Sequence, residues 1–326
     1  MSHSIGTPFF WTAFLLVVLI LLSLDLGIFH RKAHPVSVKE ALCWSLVWVC
    51  LSLSFGTWVY LHFGAQNGLE FFAGYVIEYA LSVDNVFVFI LIFSYFAVPS
   101  HLHHRVLFWG ILGALVMRAT FVVVGAALIS AFHWVLYLFG IFLVFTGFKI
   151  LREGETEVDP EKNPVVRLFQ RIMPMSSSYA SNGFFTREAG RTIATPLALV
   201  LVTVETTDLA FATDSIPAIF GVTHDPFIVY TSNICAILGL RSMFFLLAAV
   251  IDRFAYLGKG LGIVLTFIGI KMLIAKYILI PIGLSLAVVA AILVGAVAIS
   301  LIWPPKPTGD PSNPKPPLVT SEIVDK

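Results

Sequence analysis

Charge is scarce in this chain of 326 residues: Asp, Glu, Lys and Arg make up 12% of it. A soluble domain carries about 25%, and half that supply cannot wet the surface of a globule. With 58% hydrophobic residues and a mean hydropathy of +0.92, most of the chain takes lipid as its solvent. Cysteine is nearly as sparse. Cys43, Cys50 and Cys235 all fall inside apolar runs, which excludes a disulfide framework. Cys43 and Cys50 are seven apart on one face, but with no His or Cys companion nearby they read as packing residues. A signal peptide is excluded too, because the first apolar run has no basic region before it and no small-residue cleavage site after it. The net charge of +1 says nothing of partners, and no nucleic-acid partner is expected.

What is abundant is long apolar runs. A spanning helix needs roughly 20 such residues. The runs are Pro8–Ile28, Ala41–Phe63, Leu69–Phe96, Val106–Ile129, Phe132–Leu151, Pro196–Phe220, Phe227–Ile251, Phe254–Ala275 and Ile278–Trp303. The expectation is an all-α polytopic membrane protein of about nine transmembrane helices over residues 1–303. A cytoplasmic loop at 152–195 carries "SSSYASNG" and no catalytic motif, and a Pro-rich, disordered cytoplasmic tail covers 304–326.

Cationic residues orient the bundle. With the N-terminus outside, the inner loops hold Arg31, Lys32, Lys39, Arg105, Arg152, Lys162, Arg167, Arg171, Arg187, Arg191, Arg253 and Lys259. Lys306, Lys315 and Lys326 lie in the inner tail, and the outer connections hold Lys276 alone. This asymmetry predicts the N-terminus out and the C-terminus in the cytoplasm.

Three landmarks recur in order. "EYALSVDN" at 78–85 answers to "DLAFATDS" at 208–215, "GALVMRATF" around Arg118 to "AILGLRSMF" around Arg241, and "FTGFKIL" with Lys149 to "FIGIKML" with Lys271. Residues 69–151 and 196–275 therefore read as two copies of a three-helix unit. Three is odd, so the second copy enters the membrane from the opposite side. Inverted repeats of this kind mark secondary transporters, whose site lies near the midplane where the repeats meet.

Glu78, Asp84, Glu205, Asp208 and Asp214 lie well inside the runs. Each costs about 2.5–3.5 kcal/mol at a helix centre on insertion scales. Arg118 and Arg241 are candidate counter-charges, but two cations cannot neutralise five acids. A divalent cation with a proton supplies about the missing charge. Ser82, Asn85, Thr206, Thr207 and Ser215 add neutral oxygen ligands, though each has an ordinary capping or back-bonding role open to it. An all-oxygen set suits Mg²⁺, Ca²⁺ or Mn²⁺ and disfavours copper and zinc. Glu78 and Asp84 point about 120° apart on a regular helix, and Pro217 leaves the Thr213 carbonyl without its helical donor. Unwound centres in both acidic helices are therefore expected. Asp25 has two readings, a gating acid or a surface partner of Arg31 or Lys32. Lys149 and Lys271 lie near run ends and can snorkel. "HLHH" at 101–104 looks like a metal clip, but such short His motifs are weak signals, and it is read as a solvated loop at the membrane surface.

The stretches "DLGIFHRKAHPVSVKEAL", "EYALSVDNVFVF", "VETTDLAFATDSIPAIFGVTHDPFIVYTSN" and "AILGLRSMFFLLA" closely resemble the TerC family, in its Alx branch. The likeness covers nearly the full chain except the Pro-rich tail. It departs at Tyr79, where relatives commonly have a small or charged residue. The resemblance implies manganese export and an association with tellurium resistance. It places the metal route on Glu78, Asp84, Glu205, Asp208 and Asp214. The expected function is export of a divalent cation, Mn²⁺ first, across a bacterial inner membrane by alternating access in exchange for protons, with no permanent cofactor. Two other classes compete. One is a membrane adaptor of a stress-response complex docking through residues 152–195. The other is an intramembrane aspartyl enzyme using Asp84 and Asp214, against which the Gly-x-Gly-Asp pattern is missing, since Asp214 follows "FAT".

Overall fold

The computed structural model describes residues 4–27, 38–132, 134–153, 163–176, 183–188, 191–248, 256–278 and 280–302. Its helices are α1 (Pro8–Gly27), α2 (Val38–Phe63), α3 (Ala65–Tyr95), α4 (Ser100–Ala131), α5 (Val135–Glu153), α6 (Pro164–Ile172), α7 (Pro196–Phe220), α8 (Pro226–Leu238), α9 (Leu240–Ala248), α10 (Leu257–Ile274) and α11 (Ile282–Ile302). One antiparallel hairpin, β1 (Phe185–Glu188) with β2 (Arg191–Ala194), pairs Phe185 with Ala194 and Arg187 with Thr192. Among the described residues, seven helices are long and apolar enough to cross a membrane. The α8–α9 pair adds an eighth span if it counts as one, and α1 is a shorter apolar helix over Pro8–Leu24. Residues 304–326 lie outside the described residues.

The bundle is inside-out relative to a soluble protein. Leu16, Leu61, Val116, Val123, Phe145, Phe148 and Val294 are exposed, while Glu78, Arg118, Asp208, Asn233 and Arg241 are buried. Only a hydrocarbon surround rewards that distribution. All of α8 from Phe227 to Leu238 is buried, which makes it the axis of the bundle. Around it α3 packs on α8, α4 on α7, and α5 on α10, while α2 and α11 flank α3. α1 joins through aromatic contacts, with Trp11 and Phe14 against Phe227 and Tyr230. The Asp225 carboxylate caps α8 through the Phe227 amide at 2.8 Å and ties down the chain start, accepting from Ser4 Oγ and the Ile5 amide at 2.7 Å each.

The α5–α10 contact has a sequence-level cause. A Cβ on Gly140 would stand 3.1 Å from the Gly269 carbonyl, and one on Gly147 would stand 2.5 Å from the Gly262 carbonyl. Gly140 therefore faces Gly269 while Gly147 faces Gly262, so the two helices run antiparallel. Without side chains at these four positions, backbone meets backbone.

Two expectations about local structure need correction. Both acidic helices are continuous: α3 runs unbroken through Glu78 and Asp84, and α7 through Asp208 and Asp214 with Pro217 in its last turn. Pro217 sits close enough to the C-terminus that the chain turns out of the helix at Gly221 and leaves no mid-span gap. The break in the bundle lies at Gly239, where α8 and α9 meet at 42°. The "HLHH" stretch is also no loop, since α4 begins at Ser100. His103 is half-buried, bonded to the Val98 carbonyl at 2.9 Å and packed on Phe93 and Phe244.

The 152–195 segment holds more structure than its turn residues suggest. Asn163 caps α6, accepting from the Val165 and Val166 amides, and donates from Nδ2 to Thr206 Oγ1 on α7 at 2.9 Å. The hairpin is tied to the start of α7, with the Thr195 amide on the Phe184 carbonyl at 3.0 Å. Part of "SSSYASNG", residues 177–182, lies outside the described residues.

Candidate functional site

Three spans converge on one guanidinium. Arg118 on α4 is fully buried and donates to Glu78 on α3 through Nη1. The same nitrogen donates to Asn233 Oδ1 on α8 at 2.9 Å, and Nη2 donates to Asp208 Oδ1 on α7 at 3.1 Å. An arginine fork suits this role because its planar donors satisfy several acceptors from one point. Two carboxylates share one cation, which balances one of them. Each carboxylate spends a single oxygen on Arg118. Glu78 Oε2, Asp208 Oδ2, Ser82 Oγ and Ser215 Oγ are buried and make no hydrogen bond among the described residues, and the same holds for three donors around them, Arg118 Nε and the Asn85 and Asn233 amide nitrogens. Ser82 and Asn85 follow Glu78 at i+4 and i+7, on one face of α3. Ser215 follows Asp208 at i+7 on α7 and stands beside the Glu78 carboxylate. Arg118 thus ties the two acidic helices together, and the carboxylates it serves outnumber it two to one.

The remaining acids sit elsewhere. Glu205 is half-buried and turns its carboxylate onto Gly113 of α4, in the space that a Cβ there would fill. Asp214 is half-buried and faces α5, with Thr146 as hydrogen-bond partner and Lys149 in electrostatic range. Thr206 is taken by Asn163 and by the Val202 carbonyl at 2.8 Å. Thr207 back-bonds to the Thr203 carbonyl at 2.7 Å, the ordinary role left open for it. Lys271 faces Glu70, which accepts a 2.5 Å bond from Thr223. Arg241 is buried just past the break at Gly239. The side chains of Asp25 and Asp84 lie outside the described residues. Among the described residues no group of three or more His, Cys, Asp or Glu side chains is placed to hold a metal ion. Glu78 and Asp208 are thus joined, with Glu205 and Asp214 apart from them.

The family model for integral membrane proteins of the TerC family matches residues 63–307. The chain belongs to the TerC family. It is 50% identical over 313 residues to the uncharacterized membrane protein STKORF319 of Myxococcus xanthus, covering 96% of this chain and 98% of that one. It is also 50% identical over 301 residues to the "putative membrane-bound redox modulator Alx" of Escherichia coli K12, covering 90% and 94% of the two chains. An uncharacterized membrane protein of Rickettsia bellii is 39% identical over 292 residues, 90% and 97% of the two chains. No solved structure matches the chain. The matched region begins at the end of α2 and takes in α3, α4, α7 and α8, which together carry the Arg118 group.

Two contributors to the site escaped charge counting. Asn233 is neutral and stands in the otherwise apolar "IVYTSNICAIL", where its burial and its bond to Arg118 give it a role no spacing rule assigns. Gly113 contributes an absence of side chain. Its only signal was a second glycine three residues after Gly110 on a long helix. Tyr79 packs tilted against Tyr75 with ring centroids 5.6 Å apart and, one residue after Glu78, lies off the helix face that meets the guanidinium.

Proposed function

We propose that this multi-pass membrane protein exports a divalent metal cation, Mn²⁺ first among the hard cations, by alternating access between α3 and α7. One observation carries the reading: Glu78 and Asp208 share Arg118, two carboxylates to one guanidinium, and each keeps an oxygen that Arg118 does not take. Hard oxygen donors with no sulfur or imidazole among them match Mn²⁺, Mg²⁺ or Ca²⁺. Glu205 and Asp214 then serve as successive carboxylates on the way to and from that centre, and protons are the counter-ion because the same oxygens bind either species.

The packing supports the inverted-repeat organisation. Exchanging α3 with α7, α4 with α8–α9 and α5 with α10 turns the α3–α8 contact into the α7–α4 contact and leaves α5–α10 paired with itself. Gly140 and Gly147 face Gly269 and Gly262 with the same reciprocity. The proposed setting is a bacterial inner membrane, N-terminus out and C-terminus in, from the cationic asymmetry of the loops. The redox description of the Alx relatives does not transfer through a Cys43–Cys50 dithiol. Cys43 and Cys50 stand two turns apart on α2, about 10.5 Å along the axis, beyond the reach of a disulfide.

Titration of the purified full-length protein with Mn²⁺, read as loss of the free-ion electron paramagnetic resonance signal, tests the site. Saturable binding is expected, with Ca²⁺ competing. The double variant Ser82→Ala/Ser215→Ala, which keeps every charge, is expected to bind about tenfold more weakly or worse. Absence of saturable binding by folded protein would sink the reading. A second prediction concerns Gly113→Ala. The added methyl group displaces the end of the flexible Glu205 side chain, to which all three of its nearest atoms belong. Metal transport should therefore fall as far as in Glu205→Gln with the unfolding temperature little changed. Unimpaired transport in Gly113→Ala would remove Glu205 from the route.

A further inference from the structure

The segment between α5 and α7 presents an apolar and cationic surface that no part of the described protein covers. On α6, Val165, Leu168 and Ile172 are 46%, 56% and 67% exposed and form one stripe at i, i+3 and i+7. Val166, on the opposite side, is buried against the bundle. The α6 sequence "PVVRLFQRI" has two arginines and no acid, and Arg171 is exposed. On the hairpin, Phe185 and Arg187 alternate onto one exposed face of β1.

The height of this surface along the bundle identifies what covers it. Asn163, at the head of α6, is bonded to Thr206, ten residues into α7 and about 15 Å along its axis. Phe184, at the head of the hairpin, meets Trp109 edge-on at 6.4 Å, and Trp109 is itself 46% exposed nine residues into α4. Gly110 beside it packs on Val204, so the two anchors lie at nearly the same level. α4 is 32 residues long, about 48 Å, against roughly 30 Å of hydrocarbon. The excess lies at its start, where three histidines and the exposed Arg105 fill the first turns while no charged residue follows Arg118, and an exposed tryptophan at this depth marks the interface.

We propose that α6 and the β1–β2 hairpin form a lipid-binding collar. Val165, Leu168, Ile172 and Phe185 enter the acyl boundary, while Arg171 and Arg187 hold phosphates of anionic phospholipids in the leaflet on their own side. An amphipathic helix pinned at that height has its apolar stripe solvated by lipid, and its cations match the surface charge of anionic headgroups. The Asn163–Thr206 bond then makes the collar a mechanical link between that leaflet and α7, next to Glu205.

The test uses the full chain with Cys43, Cys50 and Cys235 replaced by Ala and Leu168→Cys carrying a bimane label. The protein is reconstituted in phosphatidylcholine with or without phosphatidylglycerol. Nitroxide-labelled lipid is expected to quench the label more than aqueous iodide does. Native mass spectrometry of the unlabelled protein should show phosphatidylglycerol retained over phosphatidylcholine, with retention falling about fivefold per arginine removed in Arg171→Gln and Arg187→Gln. Quenching by iodide alone overturns the proposal. So does protection from both quenchers, which would indicate a protein on the surface, and so does retention unchanged by the arginine variants. An unchanged unfolding temperature certifies each variant as folded.

Discussion

Arg118→Leu is expected to remove most of the folded protein from a detergent extract. The substitution leaves Glu78 fully buried and Asp208 nearly so, with no cation between them and one acceptor, Asn233, deprived of its donor. Taking one partner from a buried ion pair costs about 3–5 kcal/mol, and here two carboxylates lose the same partner. Folded domains hold only about 5–15 kcal/mol in reserve. The companion variant Glu78→Gln/Arg118→Leu/Asp208→Asn removes all three charges together and should recover much of the lost stability, since the penalty lies in the uncompensated charge. Thermal unfolding of the purified variants measures both. An unfolding temperature in Arg118→Leu equal to that of the unmodified protein would show that the guanidinium does not neutralise these acids. Recovery in the triple variant should not restore transport, which separates folding from function.

The second large effect is expected at the α5–α10 contact. In Gly147→Ala/Gly269→Ala the new methyl groups would stand 2.5 Å from the Gly262 carbonyl and 2.7 Å from the Gly140 carbonyl. Both obstacles are backbone, so no rotamer change relieves them and the helices must separate. Overpacking costs about 1–3 kcal/mol per site, and separation of these helices also loosens the pairing that joins the ends of the two proposed repeats. Gly283→Ala is the control, because a Cβ there meets nothing within 4 Å. The double variant should unfold well below the control. Equal unfolding temperatures would mean that the glycines are not what sets the helix spacing.

Much of the architecture was legible because lipid imposes a simple rule on sequence. Runs two, three and five match helices to within a few residues, Pro196–Phe220 coincides with α7 at both ends, and run four misses the first six residues of α4. Periodicity and length could not locate the interruption of the seventh run at Gly239, since a glycine in an apolar stretch is as often a packing device as a hinge. The break was expected in α3 and α7 because Glu78 and Asp84 diverge on a regular helix and Pro217 removes a backbone donor. The helices instead stay regular, and a side chain from α4 comes to them. Charge counting picked Arg118 as counter-charge to the buried acids, and the structure pairs it with Glu78 and Asp208. The separation of Glu205 and Asp214 from that group depends on helix rotation and on the gap at Gly113, which no spacing along the chain encodes.

Mn²⁺ flux into proteoliposomes holding the full chain, beside Asp214→Asn, tests the central claim most directly. Asp214 is the informative position because it lies outside the Arg118 group, so its neutralisation leaves the buried ion network intact. Saturable flux is predicted for the unmodified protein, with Ca²⁺ competing and an opposing pH change inside the vesicles, and flux lost in the variant at an unchanged unfolding temperature. No flux above empty liposomes from folded protein, or undiminished flux through Asp214→Asn, would contradict transport by the acids of α3 and α7.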